Sequence, residues 1–271
     1  MDTALPYAVY ALHGADVSAF LQGQLTCDMR DVDAGAWRFA AYCTAQGKVL
    51  ATLALAFDGE QYWLALPADL AEKTVARLRM FVLRSDVRFE ARGERLYAVT
   101  AAAQAQGVRR EDGAVVLDGL PGMALHICAV APQATLAPAA FAAARIAAGI
   151  AEITAATADQ FLPQMLDLPA IGALSFTKGC YVGQEAVARL QYKSVNRRLL
   201  ATAHAGDVAL PAPGAALLAN DLRAGTVLSA ALVAGQSHVQ AVLQDRFLGQ
   251  PLHVADSPAV FVFHPAHPEI R

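Results

Sequence analysis

Cysteine is scarce in this chain, and its four copies are scattered: Cys27, Cys43, Cys128 and Cys180 among 271 residues. None has a partner at C-x-x-C spacing, which excludes a zinc ribbon or a disulfide framework as the organising element. No metal ligand set is expected, and free thiols point to a reducing cytoplasm. Long apolar runs are also missing. The nearest, residues 129–148, is broken by Pro132 and Pro138, so no membrane span is expected. The first ten residues have neither a basic region nor a long apolar run, and they do not read as a signal peptide. Charge is low, 17% of residues with a net of -3, and no basic stripe marks a dedicated nucleic-acid surface. The richest basic cluster lies between Lys193 and Arg198. It reads first as a solvated face, with a small anion or a glutamate-tailed ligand as the alternative.

What is present is apolar. At 56% hydrophobic residues the chain has enough to bury a sizeable core, and its length allows one or two domains. Residues 7–12 read as a strand. Asp16 is placed to cap a short helix that Gly23 would close after Gln22. The stretches 36–44 and 49–57, separated by Gln46 and Gly47, predict a hairpin. A strand at 61–66 leads to Pro67, well suited to the first turn of a helix running to about Leu83 with Leu70, Thr74, Leu78 and Phe81 on one face. Residues 86–91 close this unit. Strands are predicted at 95–100, 114–118 and 123–130, followed by an alanine-rich helix from Pro138 to Gly149. Helices interleaved with strands in this way suggest α+β units with helices on antiparallel sheets. Beyond residue 198, short apolar runs at 199–205, 214–219, 225–233, 238–247, 251–255 and 259–263 suggest a small β-barrel or sandwich. The expected division is 1–94, 95–198 and 199–271, in a chain expected to be monomeric.

The densest chemistry lies in Lys178-Gly179-Cys180-Tyr181-Val182-Gly183-Gln184-Glu185. A cysteine sits beside a lysine and just ahead of a helical run, and both would favour its thiolate. Gly179 and Gly183 allow backbone conformations closed to other residues. The competing reading is a glycine turn around a buried, inert thiol, since free cysteine is among the most buried residue types. Glu185 and Arg189, four apart, predict a surface ion pair.

This segment resembles the signature of the YgfZ folate-binding proteins, relatives of the aminomethyltransferase (T-protein) of the glycine cleavage system. Further blocks match in the same order: Phe20 to Thr26 with Asp28; Gly47-Lys48; Arg145 with Ala148-Gly149-Ile150; and Phe161 to Gln164. They span about residues 14 to 198. The resemblance implies two intertwined ferredoxin-like modules, the second carrying the cysteine motif, and a C-terminal β-barrel. It also implies tetrahydrofolate or a one-carbon derivative as ligand, with a role in assembling or maintaining iron–sulfur clusters in client enzymes, some of which modify tRNA. Partners would be those enzymes or cluster assembly proteins.

In that frame Cys180 is the functional thiol and Lys178 lowers its pKa. A folate site needs an apolar slot, polar groups for the pterin edge and positive charge for the tail. Tyr7 and Phe141 fall where the family places tryptophans. Gln22, Gln24, Asp28, Gln160 and Gln164 are the polar candidates, and Arg189 is the cation. The T-proteins carry two aspartates and a tyrosine where this chain has Ala51, Thr52 and Ala56, so aminomethyl transfer is not expected. A folate-dependent one-carbon transferase and a folate-sensing module with an inert Cys180 stand as the alternatives. Ala151 and Ser194 replace a proline and a glycine common in the family.

Overall fold

The computed structural model describes residues 2–102, 104–255 and 257–270. A first antiparallel sheet is built from β1 (Tyr7–His13), β2 (Arg38–Cys43), β3 (Val49–Phe57), β4 (Tyr62–Pro67) and β5 (Arg88–Ala91), in the order β2-β3-β4-β1-β5. The β2–β3 hairpin turns where Gln46-Gly47 predicted it, with Gly47 at φ +76°.

One face of this sheet carries the large aliphatics Leu12, Leu53, Leu55, Leu64 and Leu66. They pack under α1 (Val17–Gln24), α2 (Met29–Asp33) and α3 (Ala68–Arg79). The other face is mostly alanine: Ala11, Ala54, Ala56 and Ala65, with Val9 and Trp63. Small side chains let a second sheet approach closely and insert Leu96, Leu117, Leu125 and Ile127. That sheet comprises β6 (Arg95–Thr100), β7 (Gly107–Glu111), β8 (Ala114–Leu120) and β9 (Met123–Cys128), ordered β6-β9-β8-β7. The helix α4 (Pro138–Ala147) follows, with Pro138 in its first turn and Gly149 at φ +66° just beyond its end.

Residues 150–187 then return to the first sheet. Ile153, Phe161, Leu166, Leu168, Tyr181 and Val187 share a core with Ala41, Cys43, Val49 and Ala51. Two 3-10 turns, Pro163–Leu166 and Leu168–Ile171, lead to α5 (Gln184–Lys193). The remaining strands form one sheet: β10 (Arg198–Ala205), β11 (Ala216–Ala219), β12 (Leu222–Val233), β13 (Gln236–Gln244), β14 (Pro251–Val254), β15 (Val260–Val262) and β16 (His264–Pro265). Its order is β15-β14-β11-β12-β13-β10-β16. The sequence neighbours β15 and β16 stand at opposite ends, so the sheet curls almost into a closed barrel around Leu217, Val227, Val239, Phe261 and Phe263. The α+β architecture with a C-terminal barrel is therefore the one expected.

Three local expectations are corrected. Gly23 does not end α1. The helix runs through Gln24, and Leu25 closes it by donating to Leu21 O. Asp16 makes no side-chain cap; its carboxylate accepts from Asp86 N instead. Helix α3 stops at Arg79, so Leu70, Thr74 and Leu78 are buried on its face while Phe81 lies beyond it, and Leu83 is 88% exposed at φ +47°.

Candidate functional site

Three of the matched segments, Phe20 to Asp28, Gly47-Lys48 and Phe161 to Gln164, meet around the cysteine motif, while Arg145 and Ile150 lie at a separate cluster. Thr26 is fully buried; its hydroxyl donates to Ala173 O (2.6 Å) and accepts from Ala41 N (2.8 Å). Ser175 N donates to Thr26 O, and Val182 N to Gly23 O. Lys48 Nζ donates to Gln160 O at 2.9 Å, and Val49 N to Phe161 O. Gly183, at φ +86°, brings the motif against the β2–β3 turn. A Cβ there would lie 2.3 Å from Thr44 O and 2.8 Å from Gly47 Cα. Gly47 and Gly183 are thus glycine because their backbones touch.

Within the motif, Lys178 is buried and turned inward. Its Nζ donates to Leu25 O and Cys27 O, both at 2.6 Å, and sits 5.2 Å from the centre of the Tyr181 ring. Burial draws its ammonium down to about 8. This corrects the expected role for Lys178: its donors are spent on two carbonyls and a ring face, and it braces the end of α1 instead of serving the Cys180 thiol. Tyr181 is core. Gln184 closes the turn reciprocally, its N donating to Tyr181 O and its Oε1 accepting from Tyr181 N at 3.2 Å.

With these residues tied down, Gly179 and Cys180 stand exposed at the tip. The other three cysteines are buried, and burial pushes Cys27 up to about 11 and Cys43 up to about 12. Cys180 is thus the one thiol open to solvent, and the reading of it as buried does not hold. Glu185 and Arg189 are both exposed and form no ion pair with each other among the described residues, so the predicted surface pair is absent.

The residues expected around folate fall in separate places. Gln22 accepts from Met29 N (2.8 Å) and donates to Asp28 Oδ1 (3.3 Å). Asp28 caps α2, and the Arg30 guanidinium holds its carboxyl down at about 2. Gln24 is half-buried, with its Oε1 unpartnered. Gln160 donates to Ala156 O, away from this group. Gln164 is buried; its Nε2 donates to Val187 O at 2.7 Å and its Oε1 has no partner. Arg189 lies on the exposed side of α5.

Tyr7 and Phe141 do come together, edge to face with ring centres 6.4 Å apart. Beside them is a cluster whose acid no sequence motif indicated. Tyr7 OH donates to Glu152 Oε2, and Arg145 Nη2 pairs with Glu152 Oε1 at 3.1 Å. Arg145 is 4% exposed, and its Nε is unpartnered. Burial pushes the Glu152 carboxyl up to about 7 and draws the Arg145 guanidinium down. A signal was available, since Arg145 and Glu152 are the two charged residues between positions 129 and 158.

Tyr7 and Arg145 line a cavity of about 10 Å³ with Phe39, Thr52, Ile150 and Leu168. That is room for about one water. The groups around it are a carboxyl whose two oxygens are taken by Tyr7 and Arg145, a guanidinium with an unpartnered Nε and two aromatic rings. Thr52, at the expected aspartate position, accepts from Ile153 N at 3.0 Å and holds the cavity wall. Larger clefts lie elsewhere. One of about 310 Å³ is lined by Gln164, Phe176, Leu190, Asn196 and His267. Another, of about 350 Å³, is lined by Phe161, Arg198 and Arg223 among others. Among the described residues no three of His, Cys, Asp and Glu gather as a metal site, and no helix is long and apolar enough to cross a membrane.

No family model matches the chain. It is 30% identical to a tRNA-modifying protein YgfZ of Sodalis glossinidius, over 93% of this chain and 88% of that protein. It is 31% identical to a tRNA-modifying protein YgfZ of Shigella boydii, over 88% and 83%. Among solved structures it superposes on the glycine cleavage system aminomethyltransferase T of Bartonella henselae with a TM-score of 0.73. That match covers 96% of this chain and 82% of the other at 15% identity, and so shows a shared fold.

Proposed function

Since the chain belongs to the YgfZ family of tRNA-modifying proteins, we propose that it binds tetrahydrofolate or a one-carbon derivative and assists iron–sulfur cluster assembly or maintenance in client enzymes, with Cys180 as the working thiol. The observation that carries this reading is the single exposed cysteine at the tip of a turn whose other side chains are anchored. Exposure makes the thiol available to a partner, a cluster or an oxidant, whereas the buried Cys27, Cys43 and Cys128 are withheld from all three. One thiolate does not complete a cluster's ligand set, so the remaining ligands come from the client or from a small molecule.

The folate part of the proposal rests on the Tyr7, Phe141, Arg145 and Glu152 cluster. Glu152 would accept from the pterin edge, and Arg145 would keep that carboxyl oriented through the ion pair it already makes. Tyr7 and Phe141 would supply the apolar wall and would have to part to admit the ring, because the cavity as it stands holds about one water. Aminomethyl transfer is not proposed. The hydroxyl of Thr52 is engaged with the backbone, and alanine precedes it where the transferases carry their first aspartate.

The test is titration calorimetry with tetrahydrofolate on wild type, Cys180→Ala and Glu152→Gln, alongside rescue of cluster-enzyme activity in a deletion strain. We expect Cys180→Ala to bind folate as wild type does and to fail in rescue, and Glu152→Gln to bind about tenfold more weakly, the loss of one charge-assisted contact. Full rescue by Cys180→Ala would sink the thiol's role. Absence of binding to wild type would sink the folate reading.

A further inference from the structure

We infer a separate binding site for a small multivalent oxyanion in the cleft where the barrel meets the segment at Gln160 and Phe161. Three neighbouring strands bring its polar groups to one end of the sheet. Arg198 begins β10 directly opposite Gln244, which ends β13. Arg223 lies on β12, which pairs with β13 from the other side. Gln244 Nε2 donates to Arg223 O at 2.9 Å, and Arg223 Nη2 reaches Thr226 Oγ1 at 3.1 Å. The floor is set by Gly225, where a Cβ would lie 2.3 Å from Val242 O. Val242 and the Leu243 side chain already fill the space a side chain there would need, and Gly225 lines the cleft of about 350 Å³ with its backbone.

Its charge balance is one-sided. The lining includes two guanidiniums, the amides of Gln160 and Gln244 and the Thr226 hydroxyl, and it has no carboxylate. Elsewhere Arg30, Arg38, Arg92, Arg109, Arg110 and Arg145 each pair with an acid, while Arg77, Arg79, Arg84, Arg189, Arg197 and Arg246 form no ion pair among the described residues. Among the described residues Arg198 and Arg223 pair with none, although both face the same concavity. Two planar forks flanking amide donors suit a ligand with two or more charged oxygen groups, each taken by a guanidinium. A cleft of this volume is at the small-ligand scale. The chemistry is met by an oligophosphate, such as a nucleotide's, or by a chain of glutamyl carboxylates. The site is independent of the folate reading, because its lining shares no residue with the Tyr7 and Arg145 cavity.

The experiment is calorimetry on the full chain with sodium tripolyphosphate and, separately, with γ-linked triglutamate. Wild type, Arg198→Ala, Arg223→Ala, Arg223→Lys and Glu152→Gln are compared at two salt concentrations. We expect wild type to bind one probe, each alanine variant to bind it about tenfold or more weakly, and Arg223→Lys to fall between, since lysine keeps the charge and loses the fork. Binding weakens with salt, and Glu152→Gln leaves it unchanged, which separates this site from the folate cavity. The probe that binds identifies the source as phosphate or glutamyl. Binding of neither probe, or equal binding by the alanine variants, overturns the inference. So does binding that only Glu152→Gln disrupts.

Discussion

The turn at Lys178 to Glu185 and the cluster of Tyr7, Phe141, Arg145 and Glu152 use buried charge in opposite ways. In the turn, a buried ammonium is consumed by two carbonyls and a ring, and its fixed geometry holds a neighbouring thiol out in water. In the cluster, two opposite charges are buried against each other, and their polar capacity is kept inside the protein with one guanidinium donor still free. One region spends its charge on fixing a turn, and the other closes its charges on each other with one donor left over. A buried charge therefore says little about function until its partners are named.

Removing Glu152 tests the closed pair most severely. Glu152→Ala leaves the Arg145 guanidinium buried without its acid and should cost about 3–5 kcal/mol in urea unfolding. The double variant Arg145→Met, Glu152→Leu should recover most of that loss. If the single variant is as stable as wild type, the pair is not a closed unit. Gly183→Ala attacks the turn. It forces a side chain to φ +86° and to 2.3 Å from Thr44 O, at an expected cost of about 3 kcal/mol by the same assay.

Lys178→Met strands the carbonyls of Leu25 and Cys27 and should cost about 2 kcal/mol at neutral pH. The pH dependence sharpens this. Lys178 releases its proton at about 8 when folded, against 10.5 ordinarily. Between those values the unfolded chain binds more protons, so this residue makes stability rise with pH across that window. The neutral amine still has two N–H donors, enough for both carbonyls. The difference between wild type and Lys178→Met should therefore grow from pH 8 to pH 10 in matched unfolding curves, and a flat difference would contradict the inward placement. The smallest effect is expected at the tip. Cys180→Ser should change stability by less than about 0.5 kcal/mol. Native alkylation should fall from one reactive thiol to none, with the buried three reacting only after unfolding.

Much of the fold could be read from the chain because local chemistry decided it. Gln46-Gly47 set a hairpin, Pro138 and Gly149 bracketed a helix, and the apolar runs after residue 198 became barrel strands. Strand β7, Gly-Val-Arg-Arg-Glu, was not predicted, since its pairing with β8 supplies what its own apolar pattern lacks. The end of α3 was overestimated because helical spacing continued to Phe81 after the backbone had turned. At the site, the prominence of Cys180 was visible in its motif, but the direction of Lys178 was not. The groups that capture it, Leu25 and Cys27, are about 150 residues earlier in the chain. Glu152 is half hidden for the same reason: its partner Tyr7 lies 145 residues away, and only the nearby Arg145, in an otherwise uncharged stretch, marks it in the sequence.

The contact between Gly47 and Gly183 also bears on the order in which the molecule assembles. The two glycines are joined across most of the α+β region, beside a core that Tyr181 and Val187 share with Cys43 and Val49. Contacts of such sequence separation form after local structure, because the entropy of closing the intervening loop must be met first. The β2–β3 hairpin is complete within residues 38–57, whereas the loop presenting Cys180 must wait for the chain to reach α5 and fold back. In pulse-labelled refolding the amide of Val182, held by Gly23 O, should gain protection after those of the hairpin. The thiol would then take up its presented position only once the framework that shields the other three cysteines has formed.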